Sequence, residues 1–431
     1  MKLKNAKGRR VVVTGLGVIA PNGIGKHEFW NNSMNGRTGI HEIDRFDLCG
    51  FKSRIAGHVD DFDPKAFDLT VTQIKHLDRF ALFALACAKM AAQDSELQLD
   101  LEDRTRVGVN IANAIAGTRY MEESFLEMTD NGKFELTPSK AKNFLFQSST
   151  FNVASAVVAS EFGLFGPIAT TSTGCTAGID SIGYCVDTIR SGAADIMFAG
   201  ATEAPLTPIA LAAFDVVGAL SSKRNDRPDR ASRPFDGDRD GFVLAEGCGI
   251  LILEELEHAK RRNAHIYAEI AGYGSTSNAY HMTDLPPDGR DMAAAISLAL
   301  ADANVSANDV DYISAHGSST RQNDANETAA FKSVFGNHAY NLCISSLKSM
   351  NGHALSAANA IESVAAILTL NAKQVPPTIN YEFRDPYCDL FYVPNEGVER
   401  DINVVVKNAS GFSGIHSAAV FVSEQFSRSM I

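Results

Sequence analysis

The sequence predicts a layered α/β protein from its strand punctuation, its apolar helical segments and its length. Short β-rich apolar runs recur between helical patterns, at 11–14, 107–111, 196–199, 250–253, 268–271, 312–315 and 418–422. The last run lies close to the C-terminus, so a strand is expected to close the fold. Two alanine-rich segments, 81–92 and 355–370, are apolar nearly all round, as helices enclosed between sheets must be. The chain has 431 residues, 45% hydrophobic and 21% charged. That exceeds the roughly 250–300 residues at which one hydrophobic core stops growing, so two subdomains or a duplicated architecture are expected.

A formal charge of -12 argues against nonspecific binding to nucleic acid or anionic membrane. The seven cysteines, at 49, 87, 175, 185, 248, 343 and 388, form no CxxC pair and fit a reduced, cytoplasmic compartment. No run reaches the roughly 18 apolar residues of a membrane span. The apolar stretch behind the basic start MKLKNAKGRR is too short for a signal peptide, so a soluble protein without export is expected.

The opening strand continues as VVVTGLGVIA, where Gly15, Gly17 and Ala20 match the dinucleotide pattern G-x-G-x-x-A. That pattern needs a helix next, its N-terminus facing a pyrophosphate, and Pro21, Asn22 and Gly23 follow instead. A tight structural turn is expected there. Residues 221–240, SSKRNDRPDRASRPFDGDRD, are dense in charge and turn formers and predict a long ordered surface loop. The polar stretch at 260–263 divides the chain into halves 9–260 and 261–431, although no sequence repeat proves the halves alike.

TSTGCTAG at 171–178 precedes a helical pattern with Ile179, Ile182, Val186 and Ile189 on one face and Gly192 as its stop. Cys175 therefore opens a helix. Unpaired amides and the positive end of the macrodipole predict a thiolate there near neutral pH. Gly174, Ala177 and Gly178 leave room for a thioester arm. Cys87 and Cys185, inside apolar helix faces, read instead as small buried residues.

His316, in ISAHGSST, stands where a strand meets a glycine turn, a common place for catalytic groups. Asp324 and Glu327 follow, able to orient a histidine or pair with a lysine. Lys348 and His353 lie in SSLKSMNGHALSAANAIES, again just ahead of an apolar helix. Taken alone, the histidine fits a hydrogen-bonded loop and the lysine a solvated surface. NASGFSGIHS, at 408–417, is a glycine-rich turn suited to an oxyanion or to an ordinary hairpin.

In this order the segments resemble the β-ketoacyl-acyl carrier protein synthases, condensing enzymes of the thiolase fold, over nearly the whole chain. VVVTGLGVIAPNG, SRPFDGDRDGFVLAEG, NAYHMT and VPPTINYEFRDPYCDLFYVPN match around the reactive motifs. ASRPFDGDRDGFVLAEG, FAGATEAPLTPIALAAFD and HGSSTRQNDANETAAFK are more similar to the ketosynthase α subunit of bacterial type II aromatic polyketide synthases. Elongation of fatty acids by a 3-oxoacyl-acyl carrier protein synthase II is the nearest alternative. A thiolase-like enzyme would bring a second cysteine where Phe412 stands. A silent scaffold or chain-length partner would lack Cys175. Ser413, in a turn usually reading G-F-G-G, and Leu347, Asn351 and Ala354 depart from the family pattern.

The resemblance implies a five-layered αβαβα thiolase-like fold with two pseudo-duplicated halves. It implies that Cys175 takes up the acyl chain, with the N–H groups of Cys175 and Phe412 as oxyanion hole. His316 and His353 would hold the malonyl thioester as CO2 leaves. Lys348, Glu327 and Asp324 would support the histidine loops, and Phe412 and Phe242 would gate the acyl pocket. No metal or redox cofactor is implied, since substrates arrive on the phosphopantetheine arm of an acyl carrier protein. Docking an acidic carrier requires a local basic patch, for which Lys75, Arg79, Lys223 and Arg224 are candidates. A heterodimer with a chain-length factor is expected, otherwise a homodimer.

Overall fold

In a computed structural model describing residues 8–429, strand β1 (Val11–Ala20) continues through both glycines, with a shift of register between Val13 and Gly15. The turn expected at Gly15 and Gly17 does not form. Both residues lie against helix α1 (Arg79–Asp94), where an added Cβ would collide with the carbonyl oxygens of Ala91 and Cys87. These glycines serve close strand–helix packing, and the chain turns only at Pro21 and Asn22. Most of the basic start lies outside the described residues.

Nine further principal strands follow: β2 (Val107–Ala112), β3 (Ile168–Ala169), β4 (Ile196–Glu203), β5 (Gly247–Glu255), β6 (Ala268–Ser277), β7 (Tyr312–Ser314), β8 (Cys343–Ser345), β9 (Val404–Ser410) and β10 (Ile415–Val422). Across the sheet their order is β8-β7-β9-β10-β6-β1-β5-β4-β2-β3. On one side, β3, β2 and β4 are parallel, and β5 and β1 add antiparallel. On the other, β8, β7 and β9 are parallel, and β10 and β6 add antiparallel. Each set of five thus repeats one connection order. The seam between them is two residue pairs, Val12 with Glu269 and Val13 with Ala268.

Helices α1 and α2 (Val153–Phe162) cover the first set, and α4 (Arg290–Ala303) and α5 (Arg321–Phe335) cover the second. Between the sets lie α3 (Ala177–Arg190) and α6 (Ser356–Ala372), completing five layers, αβαβα. The face of α3 bearing Ile179, Ile182, Val186 and Ile189 is fully buried, each isoleucine contributing about 1.5–3 kcal/mol. Helix α6 is enclosed between sheets as its composition requires. Helix α1 is not: it lies in an outer layer, and the preceding segment with Phe62 and Leu69 packs into the same cluster.

Residues 221–240 are a surface loop only in part. Ala231, Arg233, Asp236 and Arg239 are buried. Their charges stay inside because each has an opposite partner: Arg233 lies 2.8 Å from Asp236, and Arg239 lies 3.3 Å from Asp324 and 2.5 Å from Asp385.

Candidate active site

Cys175 sits in a tight turn, Gly174–Thr176, directly ahead of α3. Asp180, in the first turn of α3, accepts hydrogen bonds from Thr173, from Thr176 at 2.8 Å and from the Tyr273 hydroxyl at 2.8 Å. Asn359 of α6 donates to the carbonyl of Cys175. The turn is therefore clamped from three sides. The N–H groups of Cys175 and Phe412 both reach the thiol.

Burial pushes the Cys175 thiol up to about 11, against the opposing pull of Lys348 and the two amides, while the Glu203 carboxylate raises it further. The thiolate expected from the helix N-terminus does not prevail at neutral pH. The sulfur packs into an apolar cluster with Phe214, Leu211 and Phe242, and desolvation of the anion there outweighs the helix dipole.

His316 follows the end of β7 and His353 precedes α6, and their rings meet edge to face with centroids 5.1 Å apart. Burial first, then the Lys348 charge, holds both well below the usual histidine range, so both imidazoles are neutral at pH 7. The Nδ1 atom of each is buried without a partner. The loops holding them are pinned through the backbone. Glu327 accepts from the N–H groups of His316 at 2.5 Å and Gly317 at 2.8 Å, and from Asn408 at 2.8 Å. His353 exchanges backbone bonds with Val243 and Ala245.

Lys348 is fully buried, donating to the carbonyl of His316 at 2.7 Å and to Glu362 at 2.6 Å. Neither Glu327 nor Asp324 is its partner. Asp324 instead accepts from the N–H of Phe235 at 2.8 Å and faces Arg239. Glu362, Lys407 and Asn359 did not emerge from the sequence reading. A signal existed for two of them, since a lone charge interrupts the apolar runs AIESVAA and VVVKNAS.

Cys175, His316, His353, Phe412, Phe242 and Lys223 share one cavity of about 480 Å³. Phe242 is a fixed wall: its backbone bonds to Ala219 and Ser221 and its ring packs on His353 and Phe214. Phe412 is half-buried in a turn where Ser413 takes φ 68° and Gly414 φ 74°. Of the four cations singled out for docking, Lys75 is exposed beside a second cavity and Lys223 is exposed at the rim of the first. Arg79 and Arg224 are committed elsewhere. Arg79 pairs with buried Glu246 at 2.9 Å, and Arg224 pairs with Asp238. Among the described residues, no helix is long and apolar enough to cross a membrane.

A thiolase-like layered fold that sets one cysteine and two neutral imidazoles around a single cavity defines an acyltransferase of the carbon–carbon condensing class. The chain belongs to the beta-ketoacyl synthase family: its N-terminal domain model matches residues 8–259 and its C-terminal domain model residues 267–382. The chain is 45% identical over 422 residues to the tetracenomycin polyketide synthase ketoacyl synthase alpha subunit of Streptomyces glaucescens, covering 98% of this chain and 99% of that one. It is 43% identical over 412 residues to the 3-oxoacyl-[acyl-carrier-protein] synthase 2 of Coxiella burnetii, covering 96% and 98%. A type II polyketide acyl carrier protein bound to its ketosynthase, AntDE:AntF with a hexaketide, contains a chain 50% identical to this one. That chain superposes with a TM-score of 0.90, covering 97% of this chain and all of the other. The ishigamide ketosynthase/chain length factor contains a chain 35% identical with a TM-score of 0.89, covering 96% and 99%.

Proposed function

We propose that this beta-ketoacyl synthase acts in type II polyketide biosynthesis, condensing malonyl-acyl carrier protein with an acyl or polyketide chain held on Cys175. The observation that carries this reading is the convergence of Cys175, His316 and His353, from three separate loops, on one cavity. In loading, the Cys175 sulfur attacks the carrier thioester and its proton leaves with the departing pantetheine thiol. The N–H groups of Cys175 and Phe412 receive the developing oxyanion.

In condensation, the neutral imidazoles of His316 and His353 donate hydrogen bonds to the malonyl thioester carbonyl. The carbon–carbon bonding pair then collapses into an enolate as CO2 departs. The enolate carbon attacks the Cys175 thioester, the C–S bond breaks, and the sulfur takes a proton from solvent. A thiol held up to about 11 favours that last step, because the leaving sulfur is readily reprotonated. Lys348, Glu327 and Asp324 act at one remove, through the loops of the histidines and of Phe235. Phe412 remains the gating candidate, whereas Phe242 serves as wall.

The same proposal includes the division at residue 260, which the repeated strand order supports. It also includes a cytoplasmic site of action and chemistry needing no cofactor beyond the carrier's arm. The partners would be an acyl carrier protein and a chain-length factor, as in the solved complexes above. Lys223 and Lys75 are the docking cations retained. The relative of Streptomyces glaucescens and the bound hexaketide favour polyketide over fatty-acid substrates, while the Coxiella burnetii relative keeps elongation as the second reading.

Reconstitution with malonyl-loaded carrier protein decides between them. Unreduced poly-β-ketone products in the presence of the chain-length partner are expected. A 3-oxoacyl chain, formed by lengthening a saturated acyl-carrier starter by one two-carbon unit with the protein acting alone, would establish elongation instead.

A further inference from the structure

Behind the two histidines lies a second buried ammonium that the steps above do not use. Lys407, on β9, is completely buried. Its Nζ donates to the carbonyl of Asn408 at 2.6 Å and to those of Ser314 and Ala315 at 3.3 Å each. It also lies 2.9 Å from the Oε2 of Glu362, whose Oε1 accepts from Lys348 at 2.6 Å. One carboxylate thus serves two cations. We propose that Lys407 is a positioning residue for malonyl decarboxylation: sharing Glu362 with Lys348, it fastens the strand that leads into His316 and sets a second positive charge behind the imidazole pair. This inference rests on the functional reading given above.

Two features support it. The carbonyls of Ser314 and Ala315 immediately precede His316, so Lys407 grips β7 from the β9 side while Lys348 grips the His316 carbonyl itself. The Lys407 ammonium also bears on the imidazoles directly. The groups facing Lys407 are Glu362 from α6, Lys348 from the turn before it, and Glu327 from α5. Burial raises the carboxyl of Glu327, against the opposing pull of the hydrogen bonds from Asn408 and from the N–H groups of Gly317 and His316. A nearby positive charge disfavours imidazolium, and Lys407 acts in that direction on His316, beside Lys348, His353 and His416, and on His353, beside Lys348. Neutral imidazoles that stay neutral into the acid range keep a fixed tautomer for the thioester carbonyl.

The sign follows directly. The working form of each histidine is neutral, so CO2 release falls as pH drops through the histidine range. Removing the Lys407 charge raises that range and moves the acid limb to higher pH. The test is the pH profile of CO2 release from malonyl-carrier protein, between pH 4.5 and 9, for the full-length chain and its variants.

Lys407→Met is expected to lower kcat at neutral pH about tenfold and to move the acid limb upward by about half a pH unit or more, while KM for the malonyl carrier stays within about twofold. Lys407→Arg, which keeps the charge, is expected to restore the limb. Glu362→Gln, which removes the shared carboxylate, is expected to move the limb downward, and it stands as the test if Lys407→Met does not fold. A limb that stays at the wild-type position in Lys407→Met, or in Glu362→Gln where that variant must serve, overturns the inference, as does a drop in kcat that is uniform across pH. A wild-type protein that releases no CO2 overturns the functional reading instead.

Discussion

The two halves of the molecule use one strand order and one helix order, yet they differ where the chemistry lies. In the first, β4 and β5 are joined by the long connection 204–246; in the second, the equivalent β9 and β10 are joined by the turn 411–414. The long connection builds an apolar wall from Leu206, Leu211, Phe214, Leu220 and Phe242. The short one brings Phe412 against the thiol and turns through two left-handed residues, Ser413 and Gly414. The loops ahead of the central helices diverge in the same way, one presenting a sulfur and the other a lysine and a histidine. A duplicated scaffold gives rigidity to both, and a two-step reaction requires that they be unlike.

Predictions follow from that division of labour. The largest effects should come from separating the halves chemically. Cys175→Ala is expected to abolish the acyl-enzyme in intact mass spectra while CO2 release stays within about tenfold, because the groups proposed for decarboxylation lie in the other half. His353→Ala should do the reverse, cutting CO2 release about 100- to 1000-fold, the usual cost of one oxyanion donor, with the acyl-enzyme still forming. Loss of both activities together in either variant would dissolve the comparison.

A second prediction concerns the thiol itself. With Cys175 held up to about 11, its alkylation by iodoacetamide should rise about tenfold per pH unit between pH 7 and 9. A rate already level at pH 7 would mean that the helix terminus, rather than burial, governs the sulfur.

The smallest effect lies in a buried charge of the first half. Glu203, at the end of β4, has one oxygen bonded to the N–H groups of Ala114 and Ile115, a further bond from Ser356, no ion pair among the described residues, and a carboxyl pushed up to about 8 by burial. The folded state therefore keeps a proton that the unfolded chain loses. Stability contributed by that proton is full below about pH 4.5 and falls as pH rises toward 8. Glu203→Gln should equal wild type at low pH and exceed it above pH 8 by on the order of 2–4 kcal/mol, read as Tm against pH. An unchanged pH dependence would show the carboxyl to be charged.

Much of this architecture was legible beforehand, for physical reasons that differ by element. All seven apolar runs fall in strands, with only Ala315 just beyond one, because a strand buried on both faces must be apolar throughout. Strands β3 and β9 escaped notice: one is only two residues long, and the other is broken by Lys407 and Asn408. The cysteine, both histidines and Lys348 stood out because each sits in a small-residue motif at an element boundary. Their polar partners did not, since sequence spacing cannot tell whether Glu327 or Glu362 reaches an ammonium. Nor could the helix terminus at Cys175 reveal how dry its surroundings are.

The two-pair seam between β1 and β6 is too short to set the angle between the sheets, so that task passes to α3 and α6. Those helices meet at Gly178, where a methyl group would stand 2.5 Å from the Ser356 oxygen and 2.9 Å from the Ala360 nitrogen. Gly178 comes three residues after Cys175, and Ser356 three residues after His353. The contact therefore works as a gauge: a missing side chain, outside both loops, sets how far the sulfur stands from the imidazoles.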